Sequence, residues 1–298
     1  MEKNIGEYCM LKFICYNWMP TIADHVLDLP ESFYKSAGTS RMHNIDQFNP
    51  YMIKDNDLIF VKTDFIVNGY FRKNFLDKIF KTFNLITGVS DYQISDYKDE
   101  YFKILNHPGL KKWISVNPPS VYDDKIIPIP IGFTENSRPF GCQSFLKKMQ
   151  ENKKQFDKKQ DKILLPYHTQ DTNSSRSLLI DKIKNLSFVV FQKEKQDISD
   201  YFQTINEYKY VICLEGNGPD VHRYYETMLM GSIPISIKNV MKNVFDYHLA
   251  EGVFLDSWED LNENGFQKLV NVSYNIDNND KFLNLNYHIE RIKKEIQW

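Results

Sequence analysis

Arg223 and Glu226 lie three residues apart, just after a loop with two glycines, Glu215-Gly216-Asn217-Gly218-Pro219-Asp220. In a helix that spacing puts both side chains on one face, which Met230 continues. Met228 and Leu229 fall on the other side, where a sheet would cover them. A guanidinium fork can hold two oxygens of a diphosphate, and a carboxylate one turn further can accept both hydroxyls of a ribose. The backbone amides of the loop, at Asn217 and Gly218 above all, can cradle phosphate oxygens. His222 can hydrogen-bond a phosphate or a base, or pack beside Glu226. Arg176 opens a separate helix just after a strand and can add a second cation opposite the loop, or be an ordinary surface arginine. Together these residues describe a nucleoside-diphosphate site; the plainer alternative is a surface helix with an Arg–Glu pair.

The surrounding elements are the ones that would position such a site. Tyr210-Val211-Ile212-Cys213-Leu214 reads as a buried parallel strand. The glycines let the chain turn, Asp220 stands where a helix N-cap belongs after Pro219, and Gly231 stops the helix. Residues 233–237 start the next strand. A helix that presents its N-terminus to the loop favours an anion there, through free amides and the helix dipole.

The rest of the second half alternates in the same way. Strands are expected at 163–165, 188–191 and 252–255, with helices at 176–185 (capped within 172–175) and 199–206. Ser257-x-x-Asp260 forms a capping-box start, and a last helix spans 287–297 with Ile289, Ile292 and Ile296 on one face. In the first half, residues 57–64 read as a strand and 70–82 as a helix carrying Phe71, Phe75 and Ile79. Residues 83–91 read as a second strand, completing a βαβ unit with Asp64 and Asp91 at its carboxyl ends, where ligands gather. A short helix at 100–106 and a strand at 111–116 follow; residues 11–16 are a further possible strand. Prolines in Ile126-Ile127-Pro128-Ile129-Pro130-Ile131-Gly132 forbid a central strand through that whole run. Residues 140–161 read as a helical, charge-rich connector whose basic run is a solvated face.

The stretch 208–235, with Gly216, Gly218, Arg223, Glu226, Gly231 and Pro234, resembles the signature of exostosin-like glycosyltransferases, and the Pro-x-Pro-x-Gly run resembles the end of that family's first domain. The resemblance implies an α/β protein with two Rossmann-like domains facing a cleft, the GT-B architecture. It divides the chain into an acceptor domain (1–140), a connector (141–160), a nucleotide-sugar domain (161–285) and a terminal helix (286–298) returning to the first domain. It implies transfer of a sugar from a nucleotide donor, UDP-linked by resemblance, to a carbohydrate hydroxyl, with no cofactor and no metal. An inverting transfer needs a base near the acceptor hydroxyl: Asp91 is the first candidate and Asp64 the second, with Glu100 and His107 behind. Each also reads as a turn cap. Asp55-Asn56-Asp57 has the Asp-x-Asp form of metal-dependent GT-A transferases, but it precedes a strand instead of following one, which favours a solvated turn. A non-catalytic carbohydrate- or nucleotide-binding protein is the reading from another class.

Composition sets the outer limits. The 298 residues exceed one typical domain, and 42% hydrophobic residues supply cores for two. A net charge of −2 argues against binding nucleic acid by phosphate neutralisation. Cys9, Cys15, Cys142 and Cys213 lack metal-like spacing and read as reduced thiols, with a Cys9–Cys15 pair as the alternative. No apolar run is long enough to span a membrane and no signal-peptide pattern opens the chain, so a cytoplasmic enzyme is expected.

Overall fold

The computed structural model describes residues 12–29, 48–120, 123–169, 173 and 175–297. Cys9 and residues 11, 172, 174 and 298, used in the expectations above, lie outside them. The chain divides into two compact units, Met1–Ile131 with Leu285–Trp298, and Gly132–Asn284.

The first unit is built on a parallel sheet whose strands follow chain order: β1 (His25–Leu27), β2 (Asp57–Lys62), β3 (Phe83–Gly88), β4 (Leu110–Ser115) and β5 (Ile126–Pro128). Leu58, Ile59, Phe60 and Val61 are all fully buried, so β2 shows a continuous apolar run in place of alternation. Helices α1 (Thr63–Val67), α2 (Tyr70–Asn74) and α3 (Lys98–Leu105) fill the crossovers. Ile66, Phe71, Tyr101 and Ile104 pack on Ile59, Leu85 and Trp113 to form the core. The expected helix over 70–82 is shorter. Phe75 leaves helical space at φ −131°, and its ring meets Phe48 at 4.9 Å and Tyr70 at 5.7 Å. A 3-10 turn, Leu76–Lys78, follows. β5 is an edge strand ending at Pro128, where a missing amide does least harm. Residues 12–16 make only isolated bridges, with no strand.

The second unit opens with α4 (Gln143–Glu151) and continues β6 (Gln160–Leu165), α5 (Ser175–Ile183), β7 (Val189–Phe191), α6 (Ile198–Glu207), β8 (Tyr208–Ile212), α7 (His222–Leu229), β9 (Ile233–Ile237), α8 (Val240–His248), β10 (Val253–Leu255), α9 (Glu263–Val270) and α10 (Ile276–Phe282). The last helix, α11 (Leu285–Ile296), packs against β4 and belongs to the first unit. The second sheet is also wholly parallel, in the order β10-β9-β8-β6-β7. Its order therefore reverses between β6 and β8.

The expected helical connector at 140–161 is mostly something else. After α4 the chain is pinned to the end of α6: Asn206 Nδ2 donates to Asn152 O (3.0 Å) and Lys154 N donates to Asn206 Oδ1 (2.8 Å). Lys159 is 4% exposed and donates from Nζ to Asn206 O at 2.8 Å, so the basic run is not solvated throughout. Desolvation pushes its ammonium down to about 7.

Candidate functional site

The reversal in the second sheet sets the carboxyl ends of β6 and β8 side by side, the place where doubly wound sheets take their ligands. The residues after β6 (Pro166, Tyr167, His168, Thr169) and after β8 (Cys213, Leu214, Glu215, Gly216) line it. Two arginines cross it in opposite directions. Arg176, on the helix after β6, donates from Nε to Glu215 O (2.8 Å) and from Nη2 to Leu214 O (3.3 Å), both carbonyls following β8. Its Nη1 reaches Thr169 O at 3.0 Å. Arg223, on the helix after β8, donates from Nη1 to Tyr167 O at 3.1 Å, after β6.

Arg176 is only 8% exposed, so it clamps the glycine loop from beneath instead of facing a ligand as a second open cation. Burial and the neighbouring Arg223 charge both lower its pKa. Gly216 lies against this clamp: a Cβ there would stand 3.4 Å from Arg176 Nη2, an ordinary van der Waals contact. Arg223 is half-buried, and among the described residues no carboxylate lies within ion-pairing distance of it. Its guanidinium stands 5.5 Å from the centre of the Tyr201 ring.

His168 lies beside the two arginines and carried no signal in the sequence. Its Nδ1 lies 2.7 Å from Pro166 O, so Nδ1 holds the proton and Nε2 accepts from Arg223 Nη1 at 3.1 Å. Burial, with the two arginine charges, holds this imidazole well below its ordinary pKa and hence neutral. Its position, three residues beyond the end of β6 at a sheet's carboxyl edge, is the one feature that marks it in retrospect.

Glu226 sits one turn beyond Arg223, 7% exposed. The Tyr201 hydroxyl donates to its Oε2 at 2.6 Å. Among the described residues no other donor bonds it, Oε1 included. Buried carboxylates without a donor set are costly, so further donors to Glu226 would be favourable. Tyr201, on α6, was another residue the sequence did not single out.

The remaining loop residues take different roles from those expected. Asp220 does not cap α7: Val221 is the N-cap, without a side-chain bond, and both Asp220 oxygens accept from the Tyr225 hydroxyl, at 2.6 and 2.8 Å. His222 donates from Nδ1 to Gly132 O at 2.7 Å, tying the first turn of α7 to the start of the second unit. Asn217 is exposed and Gly218 buried, and the amide of Gly216 is spent within the loop on Gly218 O at 3.2 Å. Gly231, at φ +71°, ends the helix as expected of a C′ glycine. Asn239, the N-cap of α8, donates to Glu215 Oε1 at 2.6 Å and fixes the loop from its outer side.

In the first unit, Asp64 and Asp91 both stand beyond the carboxyl ends of their strands. Asp64 lies in the first turn of α1 and forms an ion pair with Lys62. Asp91 is exposed, at the tip of a loop held in an unusual backbone. Val89 adopts φ +61° and Asn117 φ +47°, and both are buried. A β-branched residue in that region is a strained outlier, the kind that clusters at functional sites. Asn117 Nδ2 donates to Ser90 O (3.4 Å) and Asp91 O (3.3 Å), and Thr63 Oγ1 donates to Gly88 O (3.2 Å), so the loop is braced from both neighbouring strands. Glu100 is taken up by Arg72, through Nε at 2.8 Å and Nη2 at 2.9 Å. His107 lies at the amino edge of the sheet, after α3 has carried the chain back, where its Nδ1 accepts from Gly109 N at 3.1 Å. Burial lowers its pKa.

Asp55 and Asp57 share that amino edge. Asp55 accepts from Thr82 N and Oγ1, both at 3.0 Å, bonds that lower its pKa. Asp57 Oδ2 contacts His25 Nε2 and accepts from Lys54 N, both at 2.8 Å. Both carboxylates are occupied in closing turns. No model of a known protein family matches the chain, and no curated protein matches it in sequence.

Proposed function

We propose that this protein is a glycosyltransferase of the exostosin-like kind, with its two units in a GT-B arrangement. The observation that carries the reading is the carboxyl edge where the second sheet reverses. There Arg223 is half-buried and has no counter-carboxylate among the described residues, a neutral His168 accepts from it at 3.1 Å, and Glu226 stands one turn along the same helix. Arg223 suits the diphosphate of a nucleotide sugar, UDP-linked by the family resemblance, and Glu226 suits the ribose hydroxyls. Arg176 fixes the loop that carries Asn217 and Gly218, and its buried charge adds to the field that favours the anion.

In the proposed reaction the acceptor hydroxyl oxygen attacks the anomeric carbon and the bond from that carbon to the diphosphate oxygen breaks. The acceptor proton passes to Asp91, and the diphosphate departs with an added negative charge. Preorganised donors at the departing oxygens lower the barrier. The transfer is metal-independent and inverting in this reading. The metal-dependent GT-A alternative is disfavoured by the bonds that occupy Asp55 and Asp57 at the edge opposite to Asp64 and Asp91.

Titration calorimetry with UDP, GDP and CMP, followed by transfer assays with the sugar form of the one that binds, tests this. Arg223→Ala should abolish nucleotide binding and Glu226→Ala should weaken it by about tenfold or more, with circular dichroism unchanged. Wild-type affinity in both variants would refute the site. Tight nucleotide binding without turnover on any acceptor would instead favour a binding protein.

A further inference from the structure

Two residues other than glycine hold left-handed backbone at neighbouring strand ends of the first sheet. Val89 (φ +61°) follows β3 and Asn117 (φ +47°) lies just beyond β4, 4% and 1% exposed. The two strands run parallel with Thr87 beside Ser115, and the ladder goes one step further, Val116 N donating to Thr87 O at 3.1 Å. Both unusual positions therefore stand at the carboxyl edge, where parallel sheets take their ligands.

Strain of this kind persists only where the surroundings over-determine it, and here they do. Gly88 leaves no room for a Cβ, which would fall 2.5 Å from Met19 Sδ and 3.3 Å from Val116 Cγ2. Thr63 Oγ1 holds Gly88 O from the other side. Beyond Val89 the loop is tied twice to the segment after β4. Asn117 Nδ2 donates to Ser90 O (3.4 Å) and Asp91 O (3.3 Å), and Gln93 Nε2 donates to Ser120 Oγ (3.3 Å). Pro118 and Pro119, each with a fixed φ, separate the two ties.

Asn117 carries a cost that stability alone does not explain. Exchanging its amide oxygen and nitrogen would set a carbonyl against two carbonyls, so the Nδ2 contacts fix its orientation. Its Oδ1 is buried and, among the described residues, accepts from no donor. A buried acceptor left unpaired is unfavourable, and an apolar side chain would fill the space without it. What only the amide supplies is its hold on the carbonyls of Ser90 and Asp91.

We propose that Asn117 is a positioning residue, which holds the main chain of Ser90 and Asp91 in the conformation that directs Asp91 at the acceptor hydroxyl. This role rests on the reading of Asp91 as the base of the proposed transfer. Displacing a reacting group by about 1 Å costs about a hundredfold in rate, the loss expected when the amide is removed.

Asn117→Gly tests this, because glycine adopts a positive φ freely but has no amide to donate. It should lower kcat by about a hundredfold, while calorimetry gives wild-type nucleotide affinity and Tm stays close to wild type. Asn117→Asp, of the same shape without N–H donors, should lose kcat likewise. Rates are read both as transfer and as hydrolysis of the nucleotide sugar, which needs no carbohydrate acceptor. Amide hydrogen exchange in Asn117→Gly should speed up at residues 90–92 and stay unchanged in the second unit. Wild-type kcat in Asn117→Gly overturns the proposal, since glycine would then rescue an asparagine that serves only its backbone angle. Unchanged exchange at residues 90–92 overturns it too. Asp91→Asn checks the underlying reading separately: it should lose turnover and keep nucleotide binding. Turnover at the wild-type rate in that variant would place the base elsewhere, and the role of Asn117 would fall with it.

Discussion

Arg223 spends one guanidinium nitrogen on Tyr167 O and His168, and among the described residues no carboxylate pairs with the fork, which is what suits it to the proposed anion. Arg176 is the contrast, with Nε and both terminal nitrogens given to backbone carbonyls. Arg223→Lys keeps the charge but loses the planar fork and the Tyr167 and His168 bonds. It should lower sugar transfer by about a hundredfold, as removal of one well-placed donor to a developing anion does, while Tm stays close to wild type. Steady-state kinetics and a thermal melt check this. At this scale the sequence marked the arginine and the glutamate correctly as neighbours on one face, since helical spacing alone requires it. It could not separate a clamp from a ligand-facing cation, because that depends on which carbonyls a loop of the second sheet turns inward. His168 and Tyr201 were illegible for the same reason: each acquires meaning only from a partner 55 or 25 residues away.

Among the elements, strands were the most legible, because continuous apolar runs between polar ends leave little choice in a parallel sheet. Short helices were less so. The apolar spacing of Phe71, Phe75 and Ile79 is helical, yet packing of Phe75 against Phe48 breaks the helix after one turn. The stretch beyond α4 misled in a different way, since a lysine-rich composition gives no hint that Lys159 is drawn under the end of α6. Its consequence is measurable. Lys159 holds its proton less tightly folded, at about 7, than its ordinary 10.5. Between those values the unfolded chain binds the extra proton, so folding stability should rise as pH climbs from 7 toward 10. Urea denaturation across pH 7–9 should show that slope in the wild type and a flatter one in Lys159→Met.

For the molecule as a whole, two parallel α/β units were expected from length, composition and the alternation of elements, and two five-stranded parallel sheets are present. The reversal between β6 and β8 could not be foreseen, because strand order is set by crossovers and not by any single run of residues. A ligand that binds only the folded second unit must stabilise it. Uridine diphosphate at a hundredfold excess over its dissociation constant should add about 2.7 kcal/mol to unfolding. Differential scanning calorimetry should register that as a raised transition, absent in Arg223→Ala.

The crossed arginines hold main-chain oxygens, at residues 167, 169, 214 and 215, and a carbonyl is the same whatever side chain accompanies it. The grip is thus indifferent to residue identity at Tyr167 and Thr169. Those positions can be rewritten to reshape what this edge admits while the frame beneath it stays fastened, which makes them the natural starting points for altering its selectivity.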